Sequence, residues 1–460
     1  MKIRLSNTLS GGKDEFVPLR EDRVTMYVCG PTVYHYIHIG NARPIVVFDL
    51  LYRLLKSCHR MVVYVRNITD VDDKIIAAAA AEKVAIGELT HRYIAAFYED
   101  IAPLGVLAPD IEPRATGYIR PMIEMIQRLL AGGHAYEAEG HVLFHVPSMP
   151  DYGKLSRRDL AGLQPGARVE VESYKRHPSD FVLWKPAAGG ETGWESPWGR
   201  GRPGWHLECS VMAGVHLGET IDIHGGGRDL VFPHHENEIA QSTCAHGGRP
   251  FARHWVHNGY ITVEGEKMSK SLGNFLTLRD VLKKHHGECV RLALLGVHYK
   301  KPLDWSDGVL EQARRALEKW YRLLLDARPG AAADADPAVT EALCDDMNTP
   351  QAIARLHEIA HAASTAPAAA RVRHLASLRA SAAALGLLGH DPQAWLRWRP
   401  AAVADAAAGL GDAEIEALIA ERNRARDNRD YPAADRIRQR LAQAGVVLED
   451  GAEGTRWLRQ

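Results

Sequence analysis

The chain has 460 residues, 46% of them apolar, which is enough for two to four globular domains with sizeable cores. It contains no run of 18 apolar residues and no signal-like start, so we expect a soluble, cytoplasmic protein without a membrane span. The formal net charge of −1 excludes binding of nucleic acid through overall charge, and any RNA contact must come from a local patch. The six cysteines form no CxxC pair, which indicates reduced thiols rather than a disulfide framework.

Residues 20–105 alternate between strand-like and helix-like patterns. Val24–Val28 is a short, largely apolar run typical of a buried strand, and apolar side chains at helical spacing predict a helix from Ala42 to about Lys56. Met61–Val65 and Asp70–Glu82 repeat this order of strand and helix. The alternation predicts the first half of a doubly wound parallel sheet of the Rossmann type.

The segment Cys29–Arg43 connects the first predicted strand to the first predicted helix. His38 and Gly40 therefore lie where the chain passes from a strand to the N-terminus of a helix. Backbone N–H groups and the helix dipole make such a position suitable for an anion. The segment is thus a candidate phosphate-binding element.

Residues 115–205 interrupt the alternation with many glycine, proline and tryptophan positions. We predict that they form an insertion between the two halves of the sheet. The alternation resumes over residues 206–265, where Thr220–Ile223 and His254–Val263 are typical of strands and Glu236–His246 of a helix. This region is predicted to supply the second half of the sheet.

Four residues within these two halves are candidate metal ligands. His234 and Glu238 are four positions apart and would share one face of a helix. Cys29 ends a strand of the first half and Cys209 opens the second, so the four could converge if the halves pack together. Two thiolates, an imidazole and a carboxylate suit Zn²⁺. The spacing alone is weak evidence, because an isolated cysteine is more often a small buried apolar residue.

The segment Lys267–Ser271 reads Lys-Met-Ser-Lys-Ser and is flanked by Gly265 and Gly273. Its lysines offer compact positive charges, its serines offer hydroxyl donors, and the glycines allow close approach of the backbone, a combination that suits a polyphosphate. By itself, such a segment is more often a solvated charged turn. Two candidate phosphate elements in one α/β region, at Cys29–Arg43 and here, indicate an enzyme that uses a nucleoside triphosphate.

The remaining chain is predicted to be mainly helical. Residues 275–390 carry apolar side chains at helical spacing, residues 395–412 form an alanine-rich linker, and residues 413–460 predict a helical hairpin followed by two short strands. Residues 421–440 contain seven arginines and four acidic residues. A solvated charged hairpin explains this charge at least as readily as an RNA-binding surface does.

A HIGH-type sequence at His38–Asn41 together with a KMSKS sequence at Lys267–Ser271 is typical of class I aminoacyl-tRNA synthetases. Over residues 20–460 the chain resembles the cysteinyl-tRNA synthetase family of that class. Further matching stretches are Cys29–Tyr34, Asn67–Lys74, Gly226–Glu238 and Asp346–Pro350. Two positions depart from the family pattern: Asn41 replaces a second histidine, and His35 replaces an acidic residue.

The resemblance implies a role for individual residues. The implied catalytic residues, which act on the phosphates of ATP, are His38, Lys267 and Lys270. Those implied to bind ATP are His38, Gly40, Asn41, Asp229, Lys267, Ser269 and Lys270, with Asp229 accepting hydrogen bonds from the ribose. Those implied to bind the amino acid are Gly30, Thr69 and Trp205. The implied zinc ligands are Cys29, Cys209, His234 and Glu238, and the implied tRNA-binding residues are Arg426, Asp435, Arg438 and Trp457.

The resemblance also implies an activity. L-Cysteine would react with ATP, which carries Mg²⁺, to give cysteinyl-adenylate and pyrophosphate, and the cysteine would then pass to the 3′-terminal adenosine of tRNA(Cys). One Zn²⁺ per chain would distinguish cysteine from serine, because a difference of one small group is worth only ~1–3 kcal/mol in a pocket, whereas zinc prefers sulfur. The family's pattern also leads us to expect a monomer.

The predicted domain organisation follows the same resemblance. Two segments, residues 1–115 and 206–265, would form the catalytic Rossmann domain, with residues 116–205 as a connective insertion. Residues 266–310 would form the KMSKS loop and stem-contact region. Residues 311–400 would form a helical bundle domain, and residues 401–460 a linker and a small α+β anticodon-binding domain.

Two other functions remain open at this point. A cysteine ligase of the same lineage could acylate a small amino sugar, but such an enzyme would lack the anticodon domain predicted within residues 413–460. A synthetase-like protein without activity could bind RNA only, but both phosphate elements are intact here. Cysteine-dependent exchange of pyrophosphate into ATP would separate an enzyme from the second alternative.

Overall fold

The computed structural model describes residues 2–158, 172–268, 274–325, 333–400, 410–451 and 454–459. The chain divides into two compact units. The first unit comprises Met1–Leu278, Leu294–Trp305 and Pro337–Ile353, and the second comprises Arg279–Ala293, Ser306–Asp336 and Ala354–Gln460. Within the described part, no helix combines the length and apolarity needed to cross a bilayer.

The elements up to residue 144 begin with two short strands and continue as alternating strands and helices. They are β1 (Arg4–Ser6), β2 (Lys13–Glu15), β3 (Val24–Val28), α1 (Ile39–Cys58), β4 (Val62–Arg66), α2 (Asp73–Glu82), α3 (Ile86–Ile101), α4 (Ile119–Ala131), β5 (Ala135–Ala138) and β6 (His141–Phe144). The next are β7 (Phe181–Pro186), β8 (Gly201–Pro203), α5 (Trp205–Leu217), β9 (Ile221–Gly227), α6 (Glu236–Ala245), β10 (Ala252–Asn258), β11 (Ile261–Val263) and β12 (Glu266–Lys267).

The remaining elements are mostly helices. They are α7 (Leu278–Leu282), α8 (Gly287–Leu295), β13 (Leu303–Trp305), α9 (Asp307–Leu324), α10 (Pro337–Cys344), α11 (Thr349–Thr365), α12 (Ala368–Ala384), α13 (Pro392–Arg397), α14 (Asp412–Asp427), α15 (Tyr431–Gln443), β14 (Val446–Gly451) and β15 (Gly454–Arg459). Strand β13 was not anticipated within the region predicted to be helical.

The central sheet of the first unit has the strand order β10-β9-β3-β4 and is parallel throughout. Strand β3 from the first half pairs directly with β9 from the second, with Val28 opposite Gly225. This arrangement confirms the predicted doubly wound parallel sheet. It places the carboxyl ends of β3 and β9 side by side.

A separate antiparallel sheet, ordered β5-β6-β7-β8, lies within the region predicted as an insertion. A third sheet, ordered β12-β11-β13, follows the central one in sequence. It forms because the strand predicted over His254–Val263 breaks: a side chain at Gly259 would approach the carbonyl oxygen of Lys301 to 2.5 Å. The sequence pattern did not reveal this break, which depends on a segment 42 positions away in the chain.

Helix α1 starts three residues earlier than predicted because a side chain caps it. His38 Nδ1 accepts a hydrogen bond from the backbone N–H of Asn41 (3.3 Å), and Asn41 Oδ1 accepts one from the N–H of His38 (3.3 Å). This reciprocal pair is a capping box, which satisfies two N–H groups that a helix end leaves without partners. The cap fixes the backbone of the predicted HIGH-type element.

The C-terminal part of the second unit is a helical hairpin, α14 and α15, with the two-stranded antiparallel sheet β14-β15. The predicted elements of this region are confirmed to within a few residues. Its small core is built from residues of both helices and both strands, namely Ile415, Leu418, Ile419, Ile437, Leu441, Val446 and Trp457.

Arg43 is the largest charged side chain buried in α1, and it holds the break between β10 and β11. Its guanidinium donates hydrogen bonds to the carbonyl oxygens of Gly259 (3.0 Å), Tyr260 (2.7 Å) and Lys301 (2.7 Å). Burial lowers the pKa of Arg43 to about 10, which leaves the group charged at neutral pH. The three carbonyl oxygens therefore depend on one buried cation.

Replacing this cation should destabilise the first unit. We expect Arg43→Met to lower the free energy of unfolding by about 2–4 kcal/mol, because three buried carbonyl oxygens lose a charged donor. Thermal unfolding followed by circular dichroism measures the effect. Lys56→Met is the matched control, because Lys56 is exposed on the same helix and should change stability little; equal losses in both variants would contradict the assignment.

Candidate active site and metal centre

The four predicted metal ligands converge at the carboxyl ends of β3 and β9. Cys29 directly follows β3, Cys209 lies in the second turn of α5, His234 lies in the turn before α6, and Glu238 lies in the first turn of α6. Cys29 Sγ is 3.6 Å from Cys209 Sγ, 3.5 Å from His234 Nε2 and 3.4 Å from Glu238 Oε1. His234 Nε2 and Glu238 Oε1 are 2.7 Å apart. The fold therefore brings together donors that are 209 residues apart in sequence.

The protonation of this cluster is set by burial and by mutual contact. Burial acts to lower the pKa of His234, but Glu238 and Cys209 outweigh it and raise that pKa to about 10. Burial acts to raise the pKa of Cys209, but hydrogen bonds from Cys29 and His234 lower it to about 6. Burial and the hydrogen bond to Cys209 raise the pKa of the Cys29 thiol well above its usual range. The cluster thus holds negative charge on Cys209 and Glu238 that a cation must balance.

Two thiols, an imidazole and a carboxylate form a donor set that fits Zn²⁺, which favours sulfur and nitrogen ligands. Residue His235, which was left unassigned from sequence, also reaches this set, with Nε2 3.4 Å from Cys29 Sγ. Cys29, His234, His235 and Glu238 by themselves place four donor atoms within 4.8 Å of one another. The geometry therefore offers two ways to complete a four-donor site, with Cys209 or with His235.

Further histidines orient the cluster from behind. His235 Nδ1 contacts His257 Nε2 (2.7 Å), and His257 Nδ1 contacts the hydroxyl of Thr8 (2.7 Å). Burial lowers the pKa of His235 well below its usual range and that of His257 to about 3, so both rings are neutral. Hydrogen bonds of this kind fix the tautomer and the ring orientation of a metal-ligating histidine.

Two more histidines contact the predicted ligands directly. His206 Nδ1 lies 2.8 Å from His234 Nδ1, and His224 Nε2 contacts Glu238 Oε2. Sequence analysis left His206 unassigned and did not single out His224. The available signal was a histidine in the middle of a buried strand, because a buried polar side chain requires a partner.

The predicted amino-acid pocket lies beside this cluster. The N–H of Gly30 donates to Asn67 Oδ1 (2.9 Å), and a side chain at position 30 would collide with the backbone of Asn67. The hydroxyl of Thr69 donates to Glu208 Oε2 (2.9 Å), and burial raises the pKa of Glu208 well above its usual range. Trp205 is 37% exposed and stacks on the His234 ring at 4.1 Å. Asn67 and Glu208 were missed from sequence, where they look like ordinary polar residues.

The predicted ATP-binding residues that the structure describes lie near the start of α1 and after β9. The ring of His38 is partly buried, and burial lowers its pKa, so that the neutral form is favoured. A side chain at Gly40 would approach the Met268 methyl group to 3.3 Å, which places the start of the predicted KMSKS loop beside this helix terminus. Asp229 is exposed just after the glycine run that ends β9.

The loop itself is described only in part. The backbone of Lys267 belongs to β12, where it pairs with Thr262 of β11. The segment after the loop is hydrogen-bonded to the HIGH-type element, through Ile39 N to Leu276 O (3.1 Å) and Leu278 N to Ile37 O (2.9 Å). Ser269 and Lys270 lie outside the described residues, so their roles remain predictions.

Three of the four residues predicted to bind tRNA are exposed on the hairpin, namely Arg426, Asp435 and Arg438. Trp457 is different, because only 2% of it is exposed. Its indole N–H donates to Glu416 Oε1 (2.6 Å), and the Arg397 guanidinium covers its ring at 4.0 Å. This burial argues against the predicted role of Trp457 as a surface on which an RNA base stacks. The residue supports the core of the hairpin instead.

Comparison with known proteins identifies relatives of each part of the chain. Residues 15–315 match the tRNA synthetases class I (C) catalytic domain, residues 338–389 the DALR domain, and residues 410–457 the cysteinyl-tRNA ligase anticodon binding domain. A cysteine–tRNA ligase of Paramagnetospirillum magneticum is 57% identical over 100% of both chains. Another, from Parvibaculum lavamentivorans, is 55% identical over 99% of this chain and 98% of the relative.

Solved structures of class I synthetases share the fold at low sequence identity. A methionyl-tRNA synthetase of Mycobacterium tuberculosis in complex with methionyl-adenylate has a TM-score of 0.55 at 15% identity, covering 79% of this chain and 89% of that chain. LeuRS of Agrobacterium radiobacter K84, in a ternary complex with tRNA and LeuAMS, has a TM-score of 0.60 at 12% identity, covering 83% and 85%. These similarities show the fold alone.

Metal analysis of variants distinguishes the two possible donor sets. If the predicted ligands are correct, Cys209→Ser should abolish stoichiometric binding of a divalent metal ion, because a hydroxyl replaces a soft thiolate. His235→Asn should still bind one ion per chain, with affinity lowered by roughly 10–100-fold through the lost orienting contact. Elemental analysis and competition with a chromophoric chelator measure these effects. Cys244→Ser, outside the cluster, is the control.

The opposite pattern would contradict the predicted set. Retention of the ion in Cys209→Ser, together with its loss in His235→Asn, would replace Cys209 by His235 as a ligand.

Proposed function

The chain belongs to the cysteine–tRNA ligase family of class I aminoacyl-tRNA synthetases, and we propose from this membership how its residues attach L-cysteine to tRNA(Cys). The support is similarity at 52–57% identity over the full chain, together with matches to the catalytic, DALR and anticodon binding domains. ATP, an amino acid and tRNA are the substrates of such an enzyme. The match at residues 410–457 favours tRNA over a small amino sugar as the acceptor.

In the first step, a carboxylate oxygen of cysteine attacks the α-phosphorus of ATP, and pyrophosphate leaves with Mg²⁺. The N-terminus of α1 offers backbone N–H groups and the positive end of a helix dipole to the phosphates. His38 stands at this terminus as a neutral ring that can donate a hydrogen bond to an α-phosphate oxygen as its charge develops. Lys267 and Lys270 are proposed to hold the β- and γ-phosphates.

Selection of cysteine is proposed to depend on the cluster at the ends of β3 and β9. Cys29, Cys209, His234 and Glu238 would hold one zinc ion, which supplies a soft Lewis acid that favours a sulfur ligand over an oxygen ligand. Gly30, Thr69 and Trp205 surround this cluster and would position the rest of the amino acid. A pocket without a metal could separate cysteine from serine by only ~1–3 kcal/mol.

In the second step, the cysteinyl group passes from the adenylate to a hydroxyl of the 3′-terminal adenosine of tRNA(Cys). Arg426, Asp435 and Arg438 are proposed to contact the anticodon stem or loop, since their side chains are exposed on the hairpin. The family resemblance further supports a cytoplasmic monomer, and light scattering on the purified protein tests the oligomeric state.

Removal of the metal should abolish amino-acid activation. After chelation and dialysis into excess Mg²⁺, we expect cysteine-dependent exchange of pyrophosphate into ATP to be lost and binding of cysteine to be undetectable by calorimetry. Addition of Zn²⁺ should restore both, because soft-metal recognition of the thiol is regained. Full exchange activity in protein verified to be free of metal would refute the zinc proposal.

A pair of substitutions at position 38 separates chemistry from helix capping. Both His38→Ala and His38→Asn should lower kcat of the exchange reaction by about 10²–10³, because each loses a donor to the developing phosphate charge. Only His38→Ala should also lower thermal stability, since asparagine is a good N-cap and alanine is not. Exchange at the wild-type rate in His38→Asn would show that the ring acts only as a cap.

A further inference from the structure

A second concave site lies in the first unit, next to Asp229 but apart from the HIGH-type element. It is a cavity of about 450 Å³ whose lining includes Arg157, Arg158, Arg228, Lys300, Tyr260 and Asp229, and we refer to it as the arginine pocket. Neither His38 nor Asn41 is among the residues that line it. The pocket is therefore distinct from the proposed contact with the phosphates of ATP.

The arginine pocket is strongly positive. Arg157, Arg158 and Arg228 are exposed, and within the part of the chain that the structure describes none of them forms an ion pair. Lys300 Nζ donates to the hydroxyl of Ser6 (2.7 Å), which holds a fourth cation at the pocket. Asp229 is the single carboxylate in the described lining. Unpaired cations around one concavity favour a ligand with more than one negative charge.

One of these cations is held in a conformation that costs free energy. Arg157 has φ +55°, in the left-handed region that residues with a side chain rarely adopt, at a cost of order 1 kcal/mol or more. Its guanidinium donates to the carbonyl oxygen of Ser10 (3.2 Å) and occupies space that any side chain at Gly11 would fill. Local strain that points a charged group at a cavity indicates a ligand rather than a packing role.

The pocket also presents aromatic surface. The Tyr260 side chain is 47% exposed, unusually so for a large aromatic residue. The Arg158 guanidinium lies over the Phe232 ring at 4.3 Å, which orients the guanidinium. Exposed cations that follow a backbone, combined with an aromatic face on which a base can stack, are the pattern of sites for single-stranded nucleic acid.

The position of the pocket indicates which nucleic acid would enter it. Asp229, proposed to bind a ribose, lines it, and so does His257, whose ring contacts His235 of the cluster. A strand that ends at the reacting centre would thus pass through the arginine pocket. Given the proposed function, on which this inference rests, we propose that the arginine pocket binds the phosphodiesters of the single-stranded 3′ end of tRNA, with Tyr260 available to stack on one of its bases.

Two substitutions test the proposal while leaving the first step untouched. Arg157→Gly removes the guanidinium and also suits the left-handed backbone, so a loss of function cannot come from strain or unfolding. Arg158→Ala removes a second cation. For each variant we expect unchanged cysteine-dependent exchange of pyrophosphate into ATP and a KM for tRNA in aminoacylation raised roughly tenfold, as for loss of a charged hydrogen bond. The salt dependence of tRNA binding should fall by about 0.7 in log–log slope per lost contact.

A truncated RNA identifies the part of tRNA that is bound. Removal of the 3′-terminal CCA should weaken binding to the wild-type protein, as measured by fluorescence titration. The same truncation should have little further effect on the double variant Arg157→Gly, Arg158→Ala, because both changes remove the same contact. Fully additive losses would overturn the proposal and place these arginines against another part of the tRNA.

A control and two other outcomes complete the design. Arg120→Ala removes an arginine whose side chain is 90% exposed elsewhere in the same unit, and it should leave every parameter unchanged. Altered KM for ATP, or altered inhibition by pyrophosphate, in the arginine variants would assign the pocket to ATP and overturn the proposal. Absence of exchange in the wild-type protein would instead refute the proposed function, since exchange requires no tRNA.

Discussion

Parallel pairing of β3 with β9 is the contact on which the candidate site depends, because it joins two halves of a sheet that are far apart in sequence. The carboxylate of Asp222 secures the pairing at its start by accepting the N–H and the hydroxyl of Thr25, each at 2.8 Å. At the other end, Cys29 N donates to Gly225 O (3.2 Å). A side chain at Gly225 would collide with the Phe48 ring, so this glycine lets α1 lie against the strand. One strand pair thus sets both the metal cluster and the start of α1.

The pattern of apolar residues was enough to predict the doubly wound sheet and most element bounds, because each strand and helix of the first half buries a continuous face. Individual roles of the four cluster residues came from the family resemblance, since their spacing alone left a buried apolar cysteine equally open. What could not be predicted was lateral contact between elements. His224, His235 and Glu208 act through neighbours on other strands and helices, and no local period records such contacts. Trp457 shows the reverse case, where an aromatic residue that resembled a binding surface is part of a core.

Buried polarity distinguishes the cluster from the tRNA-facing regions. Around Cys29, charged and neutral groups are enclosed, and each depends on a hydrogen-bonded neighbour whose loss would leave an unpaired group. The hairpin of the second unit and the arginine pocket expose their cations to water instead. The first arrangement suits selection of a small molecule by a rigid set of donors. The second suits a large polyanion, for which several weak, salt-dependent contacts act together.

The hydrogen bonds of Arg43 have a consequence for the timing of assembly. This residue lies in the second turn of α1, whose start carries His38, and it fixes the chain where β10 passes to β11. Strand β11 pairs with β12, which contains the backbone of Lys267. The mounts of the two nucleotide-binding elements are therefore fastened to each other through three carbonyl groups. Their separation is set once, when the polypeptide folds, and the entropy of bringing them together need not be lost again at every turnover.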